Sequence, residues 1–326
     1  MNPMRPPLRQ LPWTKPAQKV ISLHLLCLLL APSSHAANQV FEATSAYHHI
    51  RVVDDRGIRT LFFDDAMETR MSLQDPSQGH FEYTEYFQMP WLWNTQLTRV
   101  LMIGLGGGST QRAFERYYPD VSVQSVDIDP IVVQVAHNYF GFVESERQKV
   151  ATEDGRMFLR RSQARYDLII LDAYVQGRYG SSIPQHLATK EFFELARDHL
   201  NKTNGIVAYN VIGNINGWRA NVVGALYRTL KSVFPQVYAF PAATSQNVVL
   251  LATTATVRAD LNALRQRAAV LIQARRIISP GFLPRLDRFQ PQPPPNAPTC
   301  PVLTDDFAPV EGLAAAAEGQ GASSQR

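Results

Sequence analysis

Three carboxylates and one glycine run carry the chemistry that can be read from this chain. Ile103-Gly-Leu-Gly-Gly-Gly108 follows the apolar run Val100–Gly104 and precedes a helical stretch. Glycines at such a bend let the backbone turn sharply and let a ligand approach the main chain where a Cβ would collide. Gly104, Gly106 and Gly108 are therefore candidates for a nucleotide-type ligand. Asp127 stands 23 positions after Gly104, at the end of the next strand, where a carboxylate accepts hydrogen bonds from two ribose hydroxyls. Asp154-Gly155 follows the expected third strand, around Lys149–Thr152. A carboxylate there accepts from an adenine amino group, or caps a helix starting near Arg156. Asp172 ends the wholly apolar Leu168–Leu171, which puts it at the carboxyl edge of the sheet, where open α/β folds bind ligands, or makes it a solvated strand end. No Lys-Ser/Thr follows the glycines, so the bend is not a P-loop.

Hydrophobic periodicity gives the framework on which these residues sit. Tyr47–Val53, Ile58–Phe63 and Met67–Leu73 alternate and are separated by Asp-rich turns, a β-meander. The aromatic Phe81–Trp93 reads as a helix packing on the domain C-terminal to it. From Arg99 strands alternate with helices, which implies βαβ units and a parallel sheet. Strands are expected at Val100–Gly104, Ser122–Ile128, Lys149–Thr152, Tyr166–Leu171 and Ile206–Val211. Helices are expected at Thr110–Tyr118, from Asp129-Pro130 to Gly141, at Thr189–Leu200 and at Trp218–Phe234. Asp129 is an N-cap followed by Pro at the first helical position. Val237–Phe240 and Val248–Thr253 form an apolar hairpin. Val257, Leu261, Leu264, Ala268 and Leu271 form a helical stripe over Val257–Arg276. Gln290–Pro301 reads as an extended Pro-rich connector, and Gly312–Arg326 as a disordered tail.

The chain has 326 residues with a formal charge of +4. All four excess bases (Arg5, Arg9, Lys15, Lys19) lie in the first 36 residues, which contain no acid. The remainder is neutral and lacks the electrostatic footprint of a nucleic-acid binder. The leader has a basic stretch, the apolar run Ile21–Leu30 and small residues at Ser34 and Ala36, the layout of a signal peptide. That predicts export, to the periplasm, with cytoplasmic residence if the leader does not function. The run is too short for a stable membrane span, which needs about 20 residues. Cys27 leaves with the leader, and Cys300 alone makes no internal disulfide. His48, His49, His80, His137, His186 and His199 do not pair at metal-ligand spacing, so no metal site is expected. His48 and His49 should face opposite sides of a strand. His186 lies near the loop after Asp172.

From about Ala46 to Thr253 the chain resembles the spermidine synthase family, the polyamine aminopropyltransferases. The resemblance rests on the meander, FEYTEYF at Phe81–Phe87, VLMIGLGGGS, SVDID, EDGRMFL, YDLIILDA and HLATKEFF, spaced in that order. LTDDFAPVE at Leu303–Glu311 is similar to the ending of larger spermidine-synthase-like proteins in which this domain is fused to a transporter-like membrane part. The resemblance implies an α/β chain with a Rossmann-like class I S-adenosylmethionine-dependent methyltransferase fold behind an N-terminal β-meander. The implied divisions are a signal peptide (1–36), the meander and connecting segment (37–95), a nucleoside-binding domain (96–285), and the connector, LTDD block and tail (286–326).

Carried over residue by residue, the adenosine half matches. Gly104, Gly106 and Gly108 match the loop, Asp127 stands in for a ribose-binding Glu, and Asp154 and Gly155 match the adenine site. Asp172 matches the first Asp of D-x-x-D-P, the proton acceptor. Pro184 matches a proline lining the nucleoside, after a longer loop. The amine half departs from the pattern. Gly107 replaces an Asp, Thr84 follows Tyr83 where a His is expected, Val175 replaces the second Asp, and Glu68 replaces a Gln. Glu68, Glu85, Asp305 and Asp306 are the acids available to compensate, with Asp305-Asp306 otherwise a surface turn. Tyr174 orients the nucleophile or packs under the loop, and Gly177–Ser182 has the composition of a mobile lid.

The resemblance thus implies a transferase of polyamine biosynthesis. It would move an aminopropyl group from decarboxylated S-adenosylmethionine to a polyamine or related amine, with no permanently bound cofactor. The alternatives are an S-adenosylmethionine-dependent methyltransferase and a non-catalytic adenosine- or polyamine-binding protein. The implied partners are a small amine and an adenosyl sulfonium donor, with a homodimer possible and no nucleic acid.

Overall fold

The computed structural model describes residues 37–315, so the leader, its signal-peptide reading and the chain beyond Ala315 lie outside the described residues. Four antiparallel strands come first, paired in chain order: β1 (Asn38–Thr44), β2 (His49–Asp55), β3 (Ile58–Phe63) and β4 (Ala66–Ser72). The sequence reading missed β1. Arg56 (φ 47°) and Gly57 (φ 77°) supply the two left-handed residues of a tight β2–β3 hairpin. Alternation sends Ile50, Val52, Leu61 and Met71 inward, where they pack on Val132, Val135 and Phe140 of α2 (Pro130–Phe140). That packing brings Thr69 of β4 to the glycine bend, where the Gly107 N–H donates to Thr69 Oγ1 at 2.9 Å.

The large sheet contains β5 (Arg99–Ile103), β6 (Ser122–Asp127), β7 (Gln148–Thr152) and β8 (Leu168–Leu171). After the small hairpin β9 (Val175–Gly177) and β10 (Gly180–Ser182) it adds β11 (Ile206–Ile212), β12 (Gln236–Pro241) and β13 (Asn247–Thr253). Its order is β12-β13-β11-β8-β5-β6-β7. All neighbours are parallel except β13, which runs antiparallel to both β11 and β12. This is the class I methyltransferase arrangement behind a meander. The helices α1 (Ser109–Tyr117), α3 (Gly155–Arg161), α4 (Lys190–Asp198) and α5 (Ala220–Val233) complete the crossovers. Strand order reverses between β5 and β8, the switch point at which open α/β sheets form a crevice. Ile103 pairs with Leu171, so Gly104 and Asp172 leave the sheet side by side.

Several local expectations need correction. The helix expected over Phe81–Trp93 is a 3-10 helix over Glu82–Leu92 with Pro90 inside it. The long loop after β8 contains the hairpin β9–β10. The C-terminal stripe is helical only over Leu261–Gln273 (α6), capped by Asp260. Val257 precedes that cap and is 80% exposed, whereas Leu264, Ala268 and Leu271 are buried. The Pro-rich connector is tied down. Gln290 bridges to Ala239, and Ala297–Thr299 makes a 3-10 turn. A short helix, α7 (Phe282–Leu286), precedes it, and α8 (Val310–Ala315) carries order into the expected tail.

In the 3-10 helix, residues three apart eclipse, so Glu82 and Glu85 share one face. Glu82 is buried and accepts from Ala243 N (3.0 Å), Thr244 N (2.7 Å), Thr244 Oγ1 (2.6 Å) and Tyr86 Oη (2.7 Å), with Arg285 at 3.2 Å. Burial alone would raise its pKa, but these donors outweigh burial and hold it at about 2. A carboxyl depressed on folding stabilises the fold above its ordinary pKa and loses that contribution as pH falls toward the folded value. Glu82→Gln is therefore expected to cost about 3 kcal/mol at pH 7 and much less near pH 2. Urea denaturation of both proteins across that pH range checks it; an equal cost at both ends would contradict the assignment.

Candidate functional site

The glycine bend is shaped by the main chain packed against it. Gly104 has φ 101°, and a Cβ there would sit 2.1 Å from the Asp172 carbonyl oxygen, so only glycine lets β5 and β8 end this close. Gly104 and Gly106 line the cleft beyond the bend, and Gly108 caps α1 with a left-handed backbone (φ 73°). Asp127 ends β6 beside them. Its oxygens accept from Leu105 N (2.9 Å) and Asp129 N (3.0 Å). Burial pushes its carboxyl up to about 6, against those backbone donors. It lines the same cleft.

Asp172 lines the same cleft as Asp127. Asn210 Nδ2 donates to its Oδ1 at 2.8 Å and Tyr83 Oη donates to its Oδ2 at 3.2 Å. Asn210 is oriented in turn by Asn247, whose Nδ2 donates to Asn210 Oδ1 at 3.0 Å. Burial lifts Asp172 to about 6, opposed by the Asn210 and Tyr83 donors. Glu68, on β4, lines the cleft beside it. Burial first, and the Asp172 charge second, raise Glu68 to about 7, while Ser181 Oγ donates to it at 3.3 Å. Two carboxylates that repel one another in a buried pocket favour a cation between them, which restores both charges. Phe81 and Tyr83, which also line the cleft, stack at 6.1 Å.

Asp154 is the N-cap that one of its readings gave, and it also lines the cleft. Oδ1 accepts from Met157 N at 2.9 Å, the N-cap of α3, and the residue lines the cleft with Gly155. Its other oxygen lies 2.7 Å from His186 Nε2, and this contact first, with the helix amides, lowers its pKa. His186, itself exposed, thus pairs with Asp154. With Pro184 and Leu187 it lines the same end of the cleft. His48, which the sequence placed only on a strand face, is buried here. It stacks on Phe63 at 4.4 Å, while His49 points outward to Glu42.

Two candidates, Glu85 and Asp305, are placed differently from expectation, and Tyr174 follows the second of its two readings. Glu85 does not reach the cleft. Going round the 3-10 turn, Tyr83 faces the cleft, Thr84 forms its wall, and Glu85 faces a second cavity, held by His80 (2.9 Å) and Arg285 (2.8 Å). Asp305 is neither an amine ligand nor a bare surface turn. It forms a two-pronged ion pair with Arg156 (2.8 and 2.6 Å) and accepts from Thr189 Oγ1 at 2.7 Å. Tyr174 lines the cleft, but its hydroxyl donates to the Asn210 carbonyl at 2.7 Å, so it braces the loop. Asn210, Asn247 and His186 had no positional signal strong enough to single out their roles. Of the acids proposed to compensate for Gly107, Thr84 and Val175, only Glu68 lines the cleft. Gly107 itself has no room for a side chain, since a Cβ would lie 2.7 Å from Thr69 Cγ2 and 2.9 Å from the Phe140 ring. Among the described residues no helix is long and apolar enough to cross a membrane.

Comparison with known proteins agrees with this layout. Residues 80–257 match the spermine/spermidine synthase domain. A polyamine aminopropyltransferase of Vibrio vulnificus is 32% identical over 266 residues, covering 78% of this chain and 85% of that protein. An eEF1A lysine and N-terminal methyltransferase of Xenopus laevis is 33% identical over 145 residues, but these cover 43% of this chain and 20% of that protein. A crystal structure of a probable spermidine synthase from Corynebacterium glutamicum superposes with a TM-score of 0.58 at 19% identity, covering 71% of this chain and 86% of that one, which establishes shared fold. With more than half its length matched by one domain family, the chain belongs to the spermine/spermidine synthase family.

Proposed function

We propose that this protein transfers an aminopropyl group from decarboxylated S-adenosylmethionine to an amine. The observation that carries the reading is that Asp127, Asp154 and Asp172 line one cleft, with Asp172 oriented by Asn210 and Tyr83. In the reaction the lone pair of a neutral amine attacks the carbon beside the sulfonium. The C–S bond breaks with its electron pair going to sulfur, which leaves as the neutral thioether methylthioadenosine. The new N–C bond makes the amine nitrogen cationic, and its surplus proton passes to Asp172. The protein supplies alignment and the base, while the positive sulfur supplies the leaving group. Glu68 holds the cationic nitrogen next to Asp172, in place of the anchors missing at Gly107, Thr84 and Val175.

A second reading, methyl transfer from S-adenosylmethionine itself, is favoured by Gly107. With no carboxylate in the glycine loop, nothing there repels the carboxylate of the undecarboxylated donor. Calorimetry with methylthioadenosine and with S-adenosylmethionine tests both readings, and absence of heat with either at millimolar ligand rejects both. Mass analysis after incubation with either donor and an amine separates them, and nucleoside binding without any transfer points to a non-catalytic binder. The basic leader with its apolar run supports export. N-terminal sequencing of envelope material should begin at Ala37, and a chain recovered from the cytoplasm starting at Met1 overturns that reading.

A further inference from the structure

Charge is spread unevenly over residues 37–326, although its sum there is zero. Residues 257–289 carry seven arginines against Asp260 and Asp287, a net +5, with no acid between those two positions. The rest of 37–326 carries −5. Six of the seven arginines are exposed, while Arg285 turns inward to Glu82 and Glu85. Among the described residues, only Arg265 of these six faces a carboxylate, Asp287 at 2.8 Å. Arg258, Arg267, Arg276 and Arg288 donate instead to the main-chain carbonyls of Pro291, Leu92, Thr95 and Pro241. A carbonyl steers a guanidinium without cancelling its charge. The same stretch leaves apolar side chains uncovered. Six large apolar side chains are more than half exposed among the described residues. Three of them, Val257 (80%), Val270 (64%) and Ile278 (52%), lie here, with Leu283 at 47%. α6 turns Leu264, Ala268 and Leu271 to the core, and α6 and α7 both pack on the 3-10 helix. At about 100° per residue, Ala263, Ala269 and Val270 fall on the outer half of α6 with the uncharged Gln266 and Gln273, and Arg265 and Arg267 stand on its two flanks. An acid-free face, apolar along its middle and edged by guanidinium groups, fits a surface that is anionic above an apolar layer. A nucleic acid would use the charge but leave the aliphatic side chains in water. The two aromatic residues of the stretch, Phe282 and Phe289, are buried and offer a base no stacking partner.

We propose that the α6–α7 face docks on an anionic phospholipid bilayer, its exposed arginines at the headgroups and Val270, Ile278 and Leu283 entering the interface. The proposal is independent of the reaction assigned to the cleft. The test attaches an environment-sensitive nitrobenzoxadiazole label at position 270 of the full chain carrying Cys27→Ser and Val270→Cys. Cys300 is buried and stays unlabelled. The control carries Cys27→Ser and Val143→Cys, a position equally exposed (63%) but beside Glu144. Vesicles of equal parts phosphatidylglycerol and phosphatidylcholine should shift the emission of the label at 270 to the blue and leave the label at 143 unchanged. Vesicles of phosphatidylcholine alone should move neither. Arg275→Glu, added to the chain labelled at 270, should raise the lipid concentration for half the response by about tenfold or more. Melting temperatures check folding, and Ile278→Cys repeats the measurement if the chain labelled at 270 does not fold. A leader that binds vesicles by itself tethers the chain without burying the label at 270, so the shift reads this face. No shift at 270, an equal shift at 143, or a shift indifferent to Arg275→Glu overturns the proposal. A response at 270 to a single-stranded oligonucleotide and not to vesicles overturns it in favour of a nucleic acid.

Discussion

Asp172→Asn is expected to lower turnover by about 10²–10⁴-fold while leaving methylthioadenosine affinity within about twofold. Asn retains the shape of the side chain. Its oxygen still accepts from Asn210, and its amide now donates to the Tyr83 hydroxyl that formerly donated to the carboxylate. What is lost is the site for the proton released by the alkylated amine. The wild type should also show an acid limb in kcat/KM, because the base is competent only when ionised. Asp172 lies at about 6 and Glu68 at about 7, and they interact, so the limb reports the pair rather than either residue. Removing the Asp172 charge removes part of what raises Glu68, and the limb should move to lower pH as well as fall in height. A turnover loss below about tenfold would mean that another group takes the proton.

Gly104→Ala should be the most damaging single methyl in the fold. The new Cβ would lie 2.1 Å from the Asp172 carbonyl oxygen and 2.7 Å from its carbon, both main-chain atoms at the end of a central strand, at φ 101°. Nothing flexible can give way, so β5 and β8 must part at the switch point. A loss of about 4 kcal/mol or more is expected, in the range reserved for strained and overpacked sites. Gly141→Ala is the control. Its φ is 68°, but a Cβ there meets nothing within 4 Å, so only the backbone conformation is penalised, by about 1 kcal/mol. Urea denaturation of the two variants should separate them by several-fold in cost; similar values would show that the bend opens easily.

The sheet was legible because its cues are local. Apolar runs such as Leu168–Leu171, the Asp129-Pro130 cap and the glycine bend each announce themselves within a few residues, and their order dictates the crossovers. Asp127, Asp154 and Asp172 were legible for the same reason, since each ends a strand on one edge. The features that stayed hidden depend on pairing across the chain. β1 contains only Val40, Phe41 and Ala43 as apolar residues and becomes a strand through its ladder with β2. Asn210 meets Asp172 across 38 residues, and His186 meets Asp154 across 32. Glu85 was misread because an α-helical or irregular segment gives no rule for which of two nearby acids turns inward. The three-residue repeat of the 3-10 helix turns both toward Arg285.

The ion pair between Arg156 and Asp305 joins positions 149 residues apart. Leu303 reinforces it, its carbonyl accepting from Lys190 N (2.8 Å) and its N–H donating to Thr229 Oγ1 (2.9 Å). Arg156 belongs to the helix that Asp154 caps, and that helix forms one flank of the cleft. During synthesis the sheet and all its crossovers are therefore translated before the clasp that fastens this flank exists. A nascent chain halted before Leu303 would hold every cleft-lining residue and still lack the last stitch that fixes α3 against α4.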